Sequence, residues 1–294
     1  MRLPIFSYHS PATLEEAFAL LTRHEGDNKL LSGGTDVMPA LKNGRFNCGH
    51  VIDLKRITAL DGLEYDAAGG LSIGANVTLT SVEHHPATIE HYPALHASIW
   101  ELATVQVRNK ATVVGNLCNA SPAADAATPL MAYGAIAQIV GPDEEREIPV
   151  EKLLTGPGRT ALGPTEIVRS VRVPAPVPKS RSIYLKFSPR SKVDIAAVNL
   201  SATLVFDDAE HVTSADIFLG TVAPVPMRAA RTEAILIGSE LSSESIARAA
   251  SEAHEECRPI TDFRATADYK RRIVEVLTRR ALETLANERE VISI

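Results

Sequence analysis

The chain has 294 residues, of which 45% are hydrophobic, and its formal net charge is −6. This length is sufficient for two domains with a large core, and the acidic balance argues against nucleic acid as a partner. No apolar run approaches the roughly 20 residues of a membrane span, and the N-terminus lacks the apolar segment of a signal peptide, so we expect a cytoplasmic protein.

The first 57 residues are typical of a small α/β unit with parallel strands. Thr13 and Glu16 have the spacing of a capping box, and apolar residues at helical spacing follow them to residue 21. Strands are predicted at residues 29–31 and 51–54, with a helix over residues 37–42 between them.

A glycine-bearing loop separates the first of these strands from the helix. It reads Ser32-Gly33-Gly34-Thr35-Asp36, and glycine lets backbone N–H groups approach an anion without a Cβ in the way. The hydroxyls of Ser32 and Thr35 are further donors, whereas Asp36 suits ribose or ribityl hydroxyls, or backbone amides.

The middle of the chain is predicted to form strands at residues 71–75 and 135–140 and helices over residues 79–102. Four histidines in the helical stretch raise the alternative of a metal site, but no carboxylate–histidine pattern accompanies them, so we expect solvent-facing side chains. These histidines are His84, His85, His91 and His96. The cysteines are too far apart for a metal or iron–sulfur site and are expected to be free thiols. They are Cys48, Cys118 and Cys257.

A second glycine-bearing loop runs from residue 111 to residue 125. Thr112, Asn116 and Ser121 supply hydrogen-bond donors there without adding charge. Two such loops can hold the two phosphates of a dinucleotide from both sides, although glycine–asparagine loops are also common tight turns. The Rossmann fingerprint and the Walker motif are both absent, so the two commonest nucleotide-binding folds are not predicted.

A proline-rich segment over residues 173–178 marks the predicted domain boundary. Antiparallel strands are predicted beyond it at residues 182–187, 196–205 and 214–220, followed by helices over residues 243–257 and 265–286. The last helix is predicted to bury one apolar face and to leave a basic face in solvent or at an interface. The apolar face comprises Tyr269, Ile273, Val276, Leu277 and Leu285, and the basic face comprises Lys270, Arg271, Arg272, Arg279 and Arg280.

The chain resembles the FAD-binding medium subunit of the molybdenum hydroxylases. The resemblance rests on residues 30–36, residues 111–125, and Lys186 with Arg190 and residues 194–196, in that order, and it extends to the last helix. The family includes the flavoproteins of xanthine dehydrogenase, carbon monoxide dehydrogenase and 4-hydroxybenzoyl-CoA reductase.

The resemblance implies an α+β fold in two domains. A two-subdomain FAD-binding domain of the PCMH type would span residues 1–177, with subdomains of about 1–57 and 58–177. An antiparallel sheet with helices, of the carbon monoxide dehydrogenase flavoprotein C-terminal type, would span residues 178–294.

The resemblance also implies which residues bind FAD. The first loop matches a pyrophosphate loop, Thr112 and Asn116 match polar residues facing the pyrophosphate or flavin, and Asp125 matches an acidic residue that holds the cofactor. Val168 matches an aliphatic residue packed on the flavin ring, and Lys186 matches a lysine directed at the flavin. No catalytic and no metal-ligating residue is expected. The implied cofactor-binding residues are Leu31, Ser32, Gly33, Gly34, Thr35, Asp36, Val37, Thr112, Gly115, Asn116, Ser121, Asp125, Val168 and Lys186.

The chain departs from the family pattern in three ways. Val114 stands where the family has the first of two glycines, so we expect an ordinary backbone conformation there, since a β-branched residue disfavours positive φ. Leu102 stands where xanthine dehydrogenases have an aromatic residue near the flavin. No cysteine-rich insertion follows Asp125, so FAD is the only redox centre expected in this chain.

The function implied by the resemblance is electron transfer. In the family, a molybdopterin centre in a large subunit oxidises the substrate, and two [2Fe–2S] clusters in a small subunit pass electrons to the FAD of the medium subunit, which delivers them to an external acceptor. We therefore expect a heterotrimer or its dimer, with this chain making no contact with the organic substrate. NAD⁺, a quinone, a ferredoxin and oxygen all remain open as acceptors.

Two alternatives remain. A self-contained FAD-dependent oxidase or reductase of the same fold would need its own acid or base in the C-terminal domain, where His211 and His254 are isolated; turnover of a small substrate by the lone chain would identify it. A cofactor-free assembly module is favoured only by Val114. Unchanged FAD retention after substitution of Gly33 or Asn116 would identify that case.

Overall fold

In the computed structural model, which describes residues 3–287, the chain folds into three successive units of sheet and helix. The first unit confirms the predicted parallel α/β arrangement: its three strands lie in the order β1-β3-β2 and are all parallel. Its elements are β1 (Ser7–His9), α1 (Leu14–Arg23), β2 (Asn28–Leu31), α2 (Val37–Lys42) and β3 (His50–Asp53). Strand β1 was not predicted.

Helix α1 begins where the capping signature places it. The Thr13 hydroxyl accepts a hydrogen bond from the Glu16 backbone N–H at 3.2 Å. Ala17 and Leu21 on the buried side of α1 belong to the same hydrophobic cluster as Ile52 of β3. The helix therefore covers the face of the sheet on which Ile52 lies.

The second unit is a five-stranded antiparallel sheet in the order β4-β5-β10-β6-β7, with helices between its strands. Its strands are β4 (Leu63–Asp66), β5 (Gly70–Gly74), β6 (Ile136–Val140), β7 (Glu145–Pro149) and β10 (Ile167–Val173), with a separate hairpin of β8 (Leu154–Gly156) and β9 (Arg159–Thr160). Its helices are α3 (Leu79–Glu83), α4 (Pro86–His91), α5 (Pro93–Trp100), α6 (Val105–Arg108), α7 (Val113–Cys118), α8 (Ala127–Ala132) and α9 (Val150–Leu153).

Among the four helical histidines, the predicted solvent-facing position is correct for His84 only. His85, His91 and His96 are half-buried, and the ring of His91 stacks on Tyr65 with 4.9 Å between centroids. Helices α3, α4 and α5 pack against one another around these positions.

The third unit is a four-stranded antiparallel sheet in the order β11-β12-β13-β14, against which the last helices pack. Its elements are β11 (Ser180–Phe187), β12 (Val198–Phe206), β13 (Val212–Gly220), β14 (Met227–Arg228), α10 (Ala230–Leu236), α11 (Ser243–Glu256) and α12 (Ala267–Asn287). Helices α5 and α8 of the second unit pack against β11 and β12, respectively. The predicted domain boundary at residues 177 and 178 lies between β10 and β11 and stays a prediction.

The predicted faces of α12 are partly wrong. Lys270 is almost completely buried, whereas Tyr269 and Val276 are 46% and 39% exposed. Val274, Ala281 and other residues form the buried stripe instead. Lys270 can be buried because its ammonium group donates hydrogen bonds to the Ile260 carbonyl and to the Asp262 carboxylate in the preceding turn. No helix within residues 3–287 has the length and apolarity needed to cross a membrane.

Asp262 joins the start of α12 to the turn before it. Its carboxylate accepts hydrogen bonds from Lys270 Nζ at 3.0 Å and from the backbone N–H of Arg264 at 2.9 Å. Partial burial works against ionisation, but these bonds and one from the Ala265 N–H outweigh it and lower the pKa of the Asp262 carboxyl to about 2. The ionised form is therefore favoured in the folded state.

We predict that Asp262→Asn lowers the free energy of unfolding by roughly 2 kcal/mol at pH 7, since each pKa unit corresponds to about 1.4 kcal/mol. Because the folded-state pKa is depressed, this stabilisation is complete above about pH 5 and is lost as the pH falls toward 2. Urea unfolding at several pH values measures the difference between wild type and variant, which should shrink as the solution is acidified. Asp268→Asn is the control, since the Asp268 side chain is 90% exposed beside Arg271 and should matter little. A loss that is the same at pH 7 and pH 3 would contradict the prediction.

Candidate functional site

A cleft of about 800 Å³ opens where the three units meet. It is lined by the loop after β2, by the segment from α6 to Asp125, by the start of β10 with the turn before it, and by residues 193–195 between β11 and β12. This volume lies in the upper part of the range found for small-molecule and cofactor sites.

The first loop is held at its start by Ser32. Its hydroxyl donates to Asn76 Oδ1 at 3.0 Å, and its carbonyl accepts from Lys55 Nζ at 3.2 Å. We expected this hydroxyl to be a free donor for a ligand, but its proton is already engaged within the protein. Asp36 differs, because its carboxylate makes no capping bond to α2 and lies exposed at the rim of the cleft.

Gly33 brings the two glycine-bearing loops into direct backbone contact. A Cβ at this position would lie 2.1 Å from the carbonyl oxygen of Lys110 and 2.9 Å from the Cα of Ala111. Any side chain would push these segments apart. The next residue, Gly34, has a φ of +73°, which glycine adopts readily, and this turn leads directly into α2.

The second loop is ordered by a helix cap. Thr112 Oγ1 accepts from the Gly115 N–H at 2.9 Å and so begins α7, while the Ala111 carbonyl accepts from the Leu79 N–H at 2.8 Å. Val114 lies within α7 and has no positive φ, which confirms the ordinary conformation expected there. Its buried side chain lines the cleft.

Asn116 lines the cleft and has an unpaired amide oxygen. Its amide oxygen is buried and accepts no hydrogen bond from the part of the chain that the structure describes, and the residue lines the cleft. Leaving such an atom unpaired costs about 1–3 kcal/mol. A ligand with an O–H or N–H group directed at this oxygen would remove that cost.

The apolar side of the cleft includes Val168, Leu102 and Val114. Val168 lies at a β-bulge in β10, where the pairing with β6 shifts between Val168 and Ser170. Bulges re-aim side chains, and this one lies at the wall of the cleft. Leu102 also forms part of this wall. It is one of the positions at which the sequence departs from the pattern of xanthine dehydrogenases.

A buried ion pair connects the second loop to the third unit. The Asp125 carboxylate accepts from Lys186 Nζ at 3.1 Å and from the Tyr184 hydroxyl at 2.6 Å, and Lys186 also donates to the Glu101 carbonyl at 3.0 Å. Burial raises the pKa of the Asp125 carboxyl, with Lys186 and Tyr184 opposing that change, and burial beside Asp125 raises the pKa of Tyr184. Both carboxylate oxygens of Asp125 thus have partners from β11.

Twelve of the fourteen cofactor-binding residues implied by the resemblance line this one cleft. Leu31 does not, because its side chain packs in a small hydrophobic cluster with Leu41 and Val51. Lys186 does not, because its side chain is 1% exposed and its ammonium group is taken by Asp125 and Glu101.

Several lining residues were missed by the sequence analysis. The hairpin turn at Gly158 and the turn at Gly163 and Pro164 before β10 contribute one wall. Their glycines and proline were the available signal. Lys29 and Arg45, both exposed, line the side that carries the first loop. Nothing local in the sequence indicates that these cations reach the cleft.

Two family models match the chain in succession. The FAD binding domain in molybdopterin dehydrogenase matches residues 4–176, and the CO dehydrogenase flavoprotein C-terminal domain matches residues 183–285.

Individual relatives agree with the family models over nearly the full length. The chain is 31% identical to a putative xanthine dehydrogenase FAD-binding subunit of Escherichia coli, covering 94% of each chain. It is 31% identical to the nicotine 6-hydroxylase medium subunit of Paenarthrobacter nicotinovorans, covering 96% of this chain and 98% of that one. A solved chain of carbon monoxide dehydrogenase from Hydrogenophaga pseudoflava superimposes with a TM-score of 0.92 at 31% identity, covering 96% and 98% of the two chains.

We predict that Gly33→Ala lowers the free energy of unfolding by about 1–3 kcal/mol, because the new methyl group must displace the backbone of the second loop. Thermal unfolding of the cofactor-free chain measures the loss. Gly62→Ala is the matched control, because a Cβ there meets nothing within 4 Å and Gly62 has no positive φ. If Gly33→Ala unfolded at the same temperature as Gly62→Ala, the contact between the loops would not be a structural constraint.

Proposed function

Because the chain belongs to the family of FAD-binding medium subunits of the molybdenum hydroxylases, we propose that its cleft holds FAD and passes electrons between [2Fe–2S] clusters of a partner subunit and an external acceptor. FAD takes up electrons singly or in pairs and releases them in either way, which is the chemistry that such a relay needs. The chain itself supplies the binding site, the orientation of the cofactor and the surrounding charge.

The unpaired amide oxygen of Asn116 is the observation that carries the proposal. It is a buried acceptor without a partner in the described part of the chain, and its residue lines the cleft together with the two loops and the apolar wall formed by Val168, Leu102 and Val114. FAD offers ribityl hydroxyls and a flavin N–H, either of which would satisfy this oxygen. The residues present therefore fit the cofactor that the family implies.

The pyrophosphate of FAD would lie between the two loops. The first N–H groups of a helix have no partner within that helix, and both α2 and α7 begin at the cleft, after Asp36 and Thr112. Lys29 and Arg45, on the side of the first loop, complement the two negative charges. Asp36 at the rim suits a ribose or ribityl hydroxyl.

Asp125 and Lys186 have a positioning role in this proposal. Both oxygens of Asp125 already accept hydrogen bonds from Lys186 and Tyr184, so the pair holds the second loop against β11 rather than offering a free charge to FAD. The cation of Lys186 is balanced by Asp125 at 3.1 Å, which reduces its direct electrostatic effect on a reduced flavin.

The assembly proposed for this chain has a large molybdopterin subunit and a small [2Fe–2S] subunit as partners, as a heterotrimer or its dimer. Its similar relatives are named for xanthine, nicotine and carbon monoxide. Because similar medium chains occur in proteins named for such different substrates, we infer that the large subunit, and not this chain, selects the substrate. NAD⁺, a quinone, a ferredoxin or oxygen would be the final acceptor.

Purification of the chain, alone or in its complex, tests the proposal. We expect a flavin absorption spectrum, one FAD released per chain on denaturation, and bleaching of the flavin when the complex receives its substrate. An absence of bound flavin after reconstitution with FAD would refute the proposal. Steady turnover of a small substrate by the lone chain would favour the self-contained oxidase or reductase instead.

We predict that Asn116→Ala weakens FAD binding by about 5-fold to 150-fold, which corresponds to the 1–3 kcal/mol of a buried hydrogen-bonding group that loses its partner. The cofactor-free variant should not be less stable than wild type, because it no longer buries an unpaired oxygen. Fluorescence titration with FAD and thermal unfolding without FAD measure the two effects. Asn47→Ala is the control, since Asn47 is exposed and outside the cleft. Equal FAD affinity in all three proteins would remove Asn116 from the site.

A further inference from the structure

Three histidines from separate elements meet outside the cleft. They are His9 at the end of β1, His24 directly after α1 and His50 at the start of β3. One ligand atom from each lies within 4.8 Å of the others, which within residues 3–287 is the one such group of three metal-ligating side chains. None of the three lines the cofactor cleft.

The parallel register explains why these residues meet. Ser7 pairs with His50 and His9 pairs with Ile52, so His9 and His50 project from the same face of the sheet. Helix α1 packs on this face through Leu21, which shares a hydrophobic cluster with Ile52. The residue that follows α1, His24, is therefore brought over His50.

The imidazole rings are in close contact. The rings of His24 and His50 stack with 3.5 Å between centroids and 16° between planes. His9 Nε2 and His50 Nδ1 face each other at 2.9 Å, so only one of these two nitrogens can carry a proton between them. The same two lone pairs can bind one metal ion in place of that proton.

We propose that His9, His24 and His50 bind one divalent late first-row transition-metal ion, of the class of Zn²⁺, Ni²⁺ or Cu²⁺. Imidazole nitrogen is a preferred ligand of these ions, whereas Mg²⁺ and Ca²⁺ take oxygen ligands. Ligand nitrogens of a tetrahedral zinc site are about 3.3 Å apart, given Zn–N distances of about 2.0–2.1 Å. The His9 and His50 nitrogens, 2.9 Å apart, need to separate by only a few tenths of an ångström to reach that spacing. The ring of His24, which stacks on that of His50, has to rotate so that its nitrogen, within 4.8 Å of the other two, also points at the ion. Water or a group from a partner would fill the remaining coordination position.

The backbone beneath the three rings is held by hydrogen bonds that do not involve the rings. Asp27 accepts from the His50 N–H through its carbonyl at 3.1 Å and from the Gly49 N–H through its carboxylate at 2.7 Å. The His24 carbonyl accepts from the Asp27 N–H at 3.0 Å and from Asn28 Nδ2 at 2.8 Å. The backbones of His24 and His50 are thus fixed relative to each other through one turn, so ring rotation is the adjustment that binding of an ion requires.

The test is metal binding by the untagged full-length chain after treatment with a chelator, measured by equilibrium dialysis and metal analysis with Zn²⁺, Ni²⁺ and Mg²⁺ separately. We expect one Zn²⁺ or Ni²⁺ per chain, no stoichiometric Mg²⁺, and an increase in the unfolding temperature with Zn²⁺, since a ligand of the native state stabilises it. His24→Ala and His50→Ala should each weaken Zn²⁺ binding at least 10-fold. His84→Ala, which removes an exposed histidine elsewhere, should bind as wild type does.

His24→Gln keeps the test decisive if an alanine variant is unstable, because His24 follows the helix and its backbone bonds do not depend on the ring. Circular dichroism should show it folded, and Zn²⁺ should no longer raise its unfolding temperature. Sub-stoichiometric Zn²⁺ binding by wild type, or equal Zn²⁺ binding by wild type and His24→Gln, would overturn the proposal. The measurement is made with and without FAD, so it stands or falls independently of the proposed cofactor.

Discussion

The close approach of Gly33 to Lys110 is the constraint on which the cleft depends. A Cβ on Gly33 would lie 2.1 Å from a carbonyl oxygen of the other loop, so the two loops meet only because one residue has no side chain. Each loop also has a hydrogen bond to the second unit outside this contact. In the first loop the Ser32 hydroxyl donates to Asn76, and in the second the Ala111 carbonyl accepts from the Leu79 N–H. The space between them is therefore set by backbone contacts together with the side-chain bond from Ser32 to Asn76.

The third unit is tied to this geometry through an ion pair. Asp125 at the end of the second loop is buried with Lys186 and Tyr184 of β11. Burying two charges carries a desolvation penalty that their attraction only roughly repays, whereas removal of one partner alone is strongly destabilising. Such a pair contributes little net stability but tolerates only one arrangement of the loop against β11. In the proposed function, this pair positions the wall of the cleft.

The sequence could predict the local parts of this structure. Short-range patterns predict the Thr13 cap, the parallel first unit and the two loops. The family resemblance predicts fourteen cofactor-binding residues, of which twelve line one cleft. Central strand β10 was missed because a bulge at Val168 and Ser170 interrupts its alternation. The burial of Lys270 was missed because it depends on Asp262 in the preceding turn. The occupied proton of Ser32 depends on Asn76 of the second unit, and the meeting of His9, His24 and His50 depends on parallel register and helix packing. No short sequence window contains either of these.

The histidine group and the first loop lie on the same small sheet, and this connects the two sites. Strand β3 lies between β1 and β2; it starts at His50 and ends at Asp53. Asp53 accepts from Tyr8 of β1 at 2.6 Å and from Lys55 at 2.6 Å, and Lys55 also reaches the carbonyl of Ser32. An ion that joins β1, α1 and β3 would therefore stiffen the support of the first loop without contacting the cofactor, so that metal and FAD would favour the same arrangement of the first unit.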